Sequence, residues 1–531
     1  MKIPDFINCL LICLAVAGMV GCSSAGGDSG NVYYISTDGN DQSSGLTAQQ
    51  AWRTIDKINQ TDFSPGDVIL FRGGETFAGT IELSAEDSGE ENFGIRVSSF
   101  GDGKAVINGM NAEGLEADSC HYLTLENLKF EGTGRNSGNT TDGVRITKCD
   151  GVVLDQLEVH GFQHSGVHLQ RCDNARITRV YAHDNGFAGI HVTGSTMRDP
   201  ETYDNHNLYI GYCVAENNPG DPTVMENHSG NGILASSVKG GVIEYCEAFN
   251  NGWDMIWTGN GPVGIWIWDC TEFTIQYCIA HHNRTNPVAA DGGGFDFDGG
   301  VSNSVIQYCI AHHNEGAGFG LYEFGAAKPW ENNIVRYNLS VDDGIINGGS
   351  VGIWKNEERG TMRNCQIYNN TFYNSQDDGN NLWLYDHYPG FHFRNNVFVY
   401  NGALVSDDQT LEDEVFQGNL YWNLGGDPSF YGFENLREWA IASGKETMNG
   451  EVVALYRDPL FQGDGTLEVT DPEIVTMETL AGFVPREGSP LIDAGLDLRE
   501  LFGLDPGARD LAGSAIPVNQ RFDIGALEAF Q

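Results

Sequence analysis

Through the middle of the chain, apolar and polar residues alternate in short stretches such as Thr274 to Ala280 and Val305 to Ala311, each closed by a polar turn like His281-His282-Asn283 or Glu216-Asn217-Asn218. Period-two alternation in runs this short predicts strands, and apolar residues at helical spacing are missing from the region. The turns recur with the strands. Tyr-Cys or Tyr-Asn stands at Tyr212-Cys213, Tyr245-Cys246, Tyr277-Cys278, Tyr308-Cys309, Tyr337-Asn338 and Tyr368-Asn369, in steps of 33, 32, 31, 29 and 31 residues. Steps this uneven exclude propeller blades. Two or three short strands per repeat fit the coils of a single-stranded parallel β-helix, in which each coil covers its apolar face only by stacking on the next. The predicted fold class is all-β, a solenoid.

The ends break the pattern and set the domain organisation. Residues 1–22 carry Lys2, an apolar run from Leu10 to Val20 and then Gly21-Cys22-Ser23-Ser24, which resembles a bacterial lipoprotein signal with Cys22 as the lipidated residue. Residues 23–32 read as a flexible tether, 33–405 as the β-helix and 406–531 as a C-terminal capping region. A helix with one apolar stripe is predicted after Trp52, around Ile55 and Ile58, where it caps the open end of the solenoid and blocks edge pairing. Leu436 to Gly444 reads as a second helix, and Ser489 to Gly495 with Asp523 to Ala526 as a second cap. The expectation is an exported, monomeric lipoprotein of the periplasm, outer membrane or cell surface, touching the membrane only through its lipid.

Charge narrows the partners. Lys and Arg number 29 against 73 Asp and Glu, a net charge of −44. So acidic a chain is a poor partner for nucleic acid. It also disfavours polyanionic sugars unless cations or a local basic groove intervene. Of 12 cysteines, Cys9, Cys13 and Cys22 belong to the leader, and Cys213, Cys246, Cys278 and Cys309 share one repeat position. Stacked coils bring such residues to about 4.8 Å, within disulfide reach. Because Asn338 and Asn369 take the same position, a stack of free thiols is the expectation. No zinc-type spacing is present.

Candidate chemistry emerges when coils are aligned on glycine. Gly264 to Asp269, Gly294 to Gly299, Gly318 to Glu323, Gly352 to Glu357 and Asn381 to Asp386 fall into one register. Alternation then points Ile265, Phe295, Phe297, Phe319, Leu321, Ile353 and Leu382 inward. Outward from the same sheet stand Trp266, Trp268, Asp296, Asp298, Tyr322, Trp354, Asn356, Trp383 and Tyr385, with Arg145, His168 and His191 further up the ladder. Lys355 falls on the inward phase, which marks a bulge or a local slip of register. Aromatic faces beside two carboxylates suit a carbohydrate cleft, since rings stack on the C–H faces of sugars and carboxylates move protons. Asp296 and Asp298, about 6.5–7 Å apart along one face, form the expected acid and base, with Asp269 or Glu323 as substitutes. His168 and His191, roughly four and three coils away, are subsite contacts. The His281-His282 and His312-His313 pairs read as a turn ladder beside Asn283 and Asn314 rather than as a metal site.

Residues 33–531 resemble the pectin-lyase-like right-handed parallel β-helix proteins. Within that group, Gly230-Asn-Gly-Ile-Leu-Ala, Tyr245 through Gly252-Trp253-Asp254-Met, and Gly293-Gly-Phe-Asp-Phe-Asp-Gly-Gly300 are similar to polysaccharide lyase family 9, whose patterns there are Ala-Asp-Gly-Phe-Ala, Asp-Asp-Gly-Trp-Asp-Leu and Asn-Gly-Phe-Lys-Leu-Gly-Gly. The resemblance implies a right-handed solenoid that acts on polysaccharides. It also locates departures: the family's calcium-binding aspartates fall on Asn231, Asn250 and Asn251, with Asp254 retained, and its catalytic lysine falls on Asp296. No cofactor is expected beyond calcium, for which Asp254 is the one candidate ligand. A lyase base is thus replaced by a carboxylate with a second one two residues on, the equipment of a glycoside hydrolase acting on a plant or algal polysaccharide or its oligosaccharides. Two alternatives stand beside it: a uronate lyase or epimerase using Lys355 or Arg284 as base, and a non-catalytic glycan-binding lipoprotein.

Overall fold

The computed structural model describes residues 30–529 except 195–198, 357, 359, 407–410, 428–429 and 468. The leader, Cys22 and residues 23–29 of the tether lie outside them. The first strand begins at Val32, inside the stretch assigned to the tether. Strands stack in sequence order into three long parallel sheets: sheet A of 14 strands, from Val32–Ile35 to Val415–Gln417; sheet B of 14, from Thr76–Ala78 to Leu455–Tyr456; and sheet C of 11, from Ile81–Leu83 to Leu382–Leu384. Every strand pairs with its counterpart one coil away, as Ile275 does with Ile306. The inward residues of all three sheets, among them Ile243, Ile275, Ile306, Phe295 and Phe319, form one continuous buried core.

The tyrosine repeat has a backbone cause. Tyr212, Tyr245, Tyr277, Tyr308 and Tyr337 all take left-handed conformations, with φ between 51° and 58°. A side chain there costs about 1–2 kcal/mol. Ring stacking offsets part of it: Tyr212, Tyr245, Tyr277 and Tyr308 lie 5.1, 5.0 and 5.0 Å apart in succession, each stack contributing about 0.5–1.5 kcal/mol. In the next coil Asn369, φ 51°, takes this position, while Tyr368 still belongs to its strand. The thiol position therefore continues from Cys309 through Asn338 to Asn370, not Asn369, each backbone N–H donating to the next side chain at 2.9 and 3.0 Å. The four stacked cysteines are free and buried.

A second ladder holds the turn between sheets B and C. Asn185, Asn218, Asn251, Asn283 and Asn314 pass hydrogen bonds coil to coil and end on Asp343. Asn251 is typical: its Oδ1 accepts from Asn218 N and Nδ2 at 3.0 and 2.9 Å, and its Nδ2 donates to Ala215 O at 3.0 Å. Such satisfied buried amides make the turn a rigid base for the long loops that leave it.

The helix Ile55–Ile58 caps one end, its Thr54 side chain accepting from Lys57 N. At the other, the helix Leu436–Ser443 is capped by Asn435 and Gly444, and Leu436, Trp439 and Ala440 join the solenoid core. Coil strands continue past residue 405, at Val415–Gln417, Leu420–Asn423 and Leu455–Tyr456. The tail then folds back along a flank rather than closing an end: Leu467, Val469, Leu480, Phe483, Leu491 and Ile524 pack on Ile279, Ile310, Leu339, Val397 and Val399. Sheet B strands there are apolar on both faces, as in Ile279-Ala280 and Ile310-Ala311, and a strand buried on both faces needs such a cover. Among the described residues no helix is long and apolar enough to cross a membrane.

Candidate active site

The outward face of sheet C carries two side-chain rows. The first runs Arg145, His168, His191, Leu234, Trp266, Asp296, Gly320, Gly352, Trp383, each paired with the next. The second lies one pleat along: Trp268, Asp298, Tyr322, Trp354, Tyr385, with Tyr322 paired to Trp354 and Tyr385 N bonded to Ile353 O. Gly264, Gly294 and Gly318 are aligned as the sequence predicts. Gly352 pairs with Gly320 instead of Gly318, so its coil stands two residues from the expected register. Side-chain direction survives a shift of two, and the pairing is unbroken through Glu323 and Lys355, so Lys355 sits at a strand end and marks no bulge.

The shift decides what surrounds the carboxylates. Gly320 and Gly352 leave the first row empty beside Asp296, and Tyr322 leans across the gap: a Cβ at Gly320 would lie 2.6 Å from the Tyr322 ring and 3.0 Å from Asp296 Oδ1, and one at Gly352 2.7 Å from the Tyr322 hydroxyl. Loops rising from the asparagine-ladder turn wall in this floor. They are tied by Asn260 Nδ2 to Asn227 Oδ1 at 2.9 Å, Gly261 N to Asp291 Oδ2 at 2.8 Å and Asn347 Nδ2 to Asp291 O at 3.2 Å. The result is a cavity of 760 Å³ with Asp291, Asp296, Asp298, Trp268, Trp354 and Trp383 in its lining, within the usual size of small-ligand sites. Trp266 also lines it but is only 4% exposed. Its Nε1 donates to Asn231 Oδ1 at 3.1 Å and its ring packs edge-on to His228, so it is wall more than open stacking platform.

The floor gathers charge that burial resists. Burial first, then the charges of Asp298 and Asp291, hold Asp296 well above the usual carboxylate range. Asp298 is raised by burial, opposed by the Gly299 N–H and reinforced by Asp291 and Glu323. Burial also pushes Asp291 up to about 6 against the Gly261 N–H, and pushes His228 down to about 4, leaving a neutral imidazole at pH 7. Asp296 Oδ1 is buried with no hydrogen-bond partner among the described residues. Burial and the repulsion among neighbouring carboxylates both favour a retained proton in this group, which supplies a donor on the cavity floor. None of the described lining residues is Lys or Arg.

Other predicted site residues fall elsewhere. Asp269 turns away from the cavity: Lys328 Nζ lies 2.8 and 2.9 Å from its two oxygens, both side chains fully buried. Glu323 accepts from Gly300 N, Gly325 N and Ala326 N, and so holds a turn. Both stand at the strand end, where the chain turns and the outward row stops. Asn356 closes the next turn, its Oδ1 accepting from Glu358 N at 3.1 Å, and is not in the lining. Tyr385 lies beyond the lining, edge-on to Trp354 at 6.4 Å. His168 and His191 stack on one another at 4.6 Å outside the cavity, with His168 Nδ1 2.9 Å from Asp142. Lys355 is engaged with Asp386 and the His387 carbonyl, each at 2.9 Å, and neither it nor Arg284 reaches the lining. Asp291, His228, Phe324 and Asn347 carry no signal in the strand pattern, and loop closure alone brings them to the lining.

The calcium positions of the resemblance do not fit that ion. Asn251 is spent in its ladder, Asn250 donates to Asn217 Oδ1 at 3.2 Å, Asn231 Oδ1 accepts from Trp266, and Asp254 pairs with Arg135. These oxygens face different partners rather than one another, and calcium needs six to eight converging on it.

The chain is 27% identical over 143 residues to a lacto-N-biosidase of Bifidobacterium longum, a stretch spanning 24% of this chain and 9% of that relative. Among solved structures, a GH136 lacto-N-biosidase from Eubacterium ramulus aligns at 18% identity over 72% of this chain and 67% of its own, with a TM-score of 0.49. Pectate lyase Pel9A aligns at 18% identity over 94% and 97%, with a TM-score of 0.43. The family model described as the Pel9A-like, right-handed beta helix region matches residues 33–345, the coils that carry every residue of the two rows as far as Tyr322, and the chain belongs to that family.

Proposed function

We propose that this protein is a glycoside hydrolase acting on a neutral glycan, with Asp296 as proton donor and Asp298 as the ionised partner. The observation that carries the reading is the carboxylate pair on the floor of a tryptophan-lined cavity, both members raised by burial and Asp296 also by Asp298. Asp296 gives its proton to the glycosidic oxygen as the bond to the anomeric carbon breaks. Asp298 attacks that carbon or takes a proton from the water that does. Trp268, Trp354 and Trp383 offer ring faces to the sugar, and Asp296 Oδ1 gains in the substrate the partner it lacks in the protein. The local likeness to a lacto-N-biosidase supports the hydrolytic side. A lyase or epimerase must bind a uronate carboxylate and abstract the proton beside it. A lining with three carboxylates and without Lys or Arg, and a Lys355 already paired, weigh against that.

The test is a paired assay on plant, algal and lacto-N-biose-containing glycans, following new reducing ends and unsaturated-uronate absorbance together. Reducing ends without the chromophore are expected, falling about 10²- to 10⁴-fold in Asp296→Asn and in Asp298→Asn. Appearance of the chromophore, or near-full activity in both variants, overturns the proposal.

A further inference from the structure

At the seam between sheet B and the C-terminal region, histidines from two adjacent coils converge. His281 and His312 end neighbouring strands of sheet B and stack at 4.6 Å; His282 and His313 stack beside them at 5.2 Å. The tyrosine stacks show that such ladders form for packing alone. What differs here is that the two histidine columns face each other through nitrogen. His281 Nδ1 lies 2.8 Å from His282 Nδ1, and His312 Nδ1 lies 3.1 Å from His313 Nδ1. One ligand nitrogen from each of His281, His282 and His312 lies within 4.8 Å of the other two.

Glu247 fixes the chemistry of the first ring. Its Oε1 is 3.1 Å from His281 Nε2, and a carboxylate only accepts, so Nε2 carries the hydrogen and Nδ1 presents a bare lone pair toward His282. A carboxylate behind an imidazole is the usual outer support of a histidine ligand. His281 and His312 are 6% and 4% exposed, while His282 faces solvent and gives an ion its entry path. Val469 of the tail, packed on Ile279 and Ile310, lies against the His312 ring, so the cluster stands where the solenoid meets its cover.

We propose that His281, His282 and His312 bind a zinc-class divalent transition ion, which ties neighbouring coils together beside the docked tail. Neutral imidazoles suit zinc, with bonds of about 2.0–2.1 Å and water or His313 completing a tetrahedron. Ring rotation of His282 and His312 closes the set, and His282 moves its proton from Nδ1 to Nε2 through solvent, so no charge is displaced. The site is independent of the cavity and of the function proposed for it.

The experiment titrates ZnCl₂ into untagged, chelator-treated full chain by calorimetry, with Co(II) absorption as a second readout. Wild type is expected to bind one ion with a Kd of about 10 μM or tighter and a Co(II) band of tetrahedral type. His282→Asn is expected to weaken binding at least about 10-fold while keeping the fold, because Asn tolerates the left-handed φ of 52° at that position. Glu247→Gln is expected to weaken it about 10- to 100-fold. The absence of saturable 1:1 binding, or binding unchanged in both His282→Asn and His312→Asn, overturns the proposal.

Discussion

Replacing Asp291 by Asn asks whether the cavity rim is held closed against its own charge. Asp291 rises from 3.8 to about 6 because burial disfavours its ionised form. A carboxyl whose folded value is raised binds its proton more tightly in the fold. The stability it contributes is full below pH 3.8 and is lost as pH climbs through about 6. At about 1.4 kcal/mol per pH unit the loss is about 3 kcal/mol as an upper limit, and about 1–3 kcal/mol for a partly solvated rim. Asn removes the charge and keeps an oxygen to accept from Gly261 N. The variant should therefore be the more stable protein at pH 8 and nearly indistinguishable at pH 4. Hydrogen exchange of residues 257–262 and 286–291, corrected for intrinsic rates, reads this directly, because rim opening exposes those amides. Protection about 5- to 100-fold above wild type is expected at pH 8. Weaker protection at pH 8 would mean that the ionised carboxylate holds Gly261, and an equal gain at both pH values would mean that the Asp291 charge is not the cause.

Two further substitutions probe the scaffold that positions the site. Asn251→Ala removes the acceptor for Asn218 and the donor to Ala215 O, and should cost about 3–5 kcal/mol in urea unfolding at about 1–3 kcal/mol per orphaned buried group. A loss below about 1 kcal/mol would show that water repairs the ladder. Lys328→Met strands Asp269 in the interior, at a cost of about 3–5 kcal/mol. Burial already pushes that carboxyl up to about 6 despite the lysine, so the penalty should shrink below pH 6, where Asp269 can take a proton, and a pH-independent loss in thermal melts would refute the account.

What the sequence alone determined is what local periodicity encodes. Alternation places Trp266, Asp296, Trp268 and Asp298 on the outward face, because successive strand residues must point to opposite sides. The repeat length and the turn residues announce stacked coils, because a strand with one apolar face is stable only beneath another. Tertiary structure decided everything to which that period is blind. Moving the Gly352 coil by two residues leaves each side chain facing the same way, so pairing hydrogen bonds alone set Gly352 beside Gly320 and opened the space next to Asp296. Asn369 and Asn370 are adjacent and alike, and only the left-handed turn separates the ladder residue from the turn residue. Asp269 and Glu323 directly follow the last outward residues of their strands, Trp268 and Tyr322, but the chain turns there and buries them against Lys328 and backbone amides. Asp291 reached the cavity by a loop closing on Gly261 and Asn347, contacts 30 and 56 residues distant that no local pattern records.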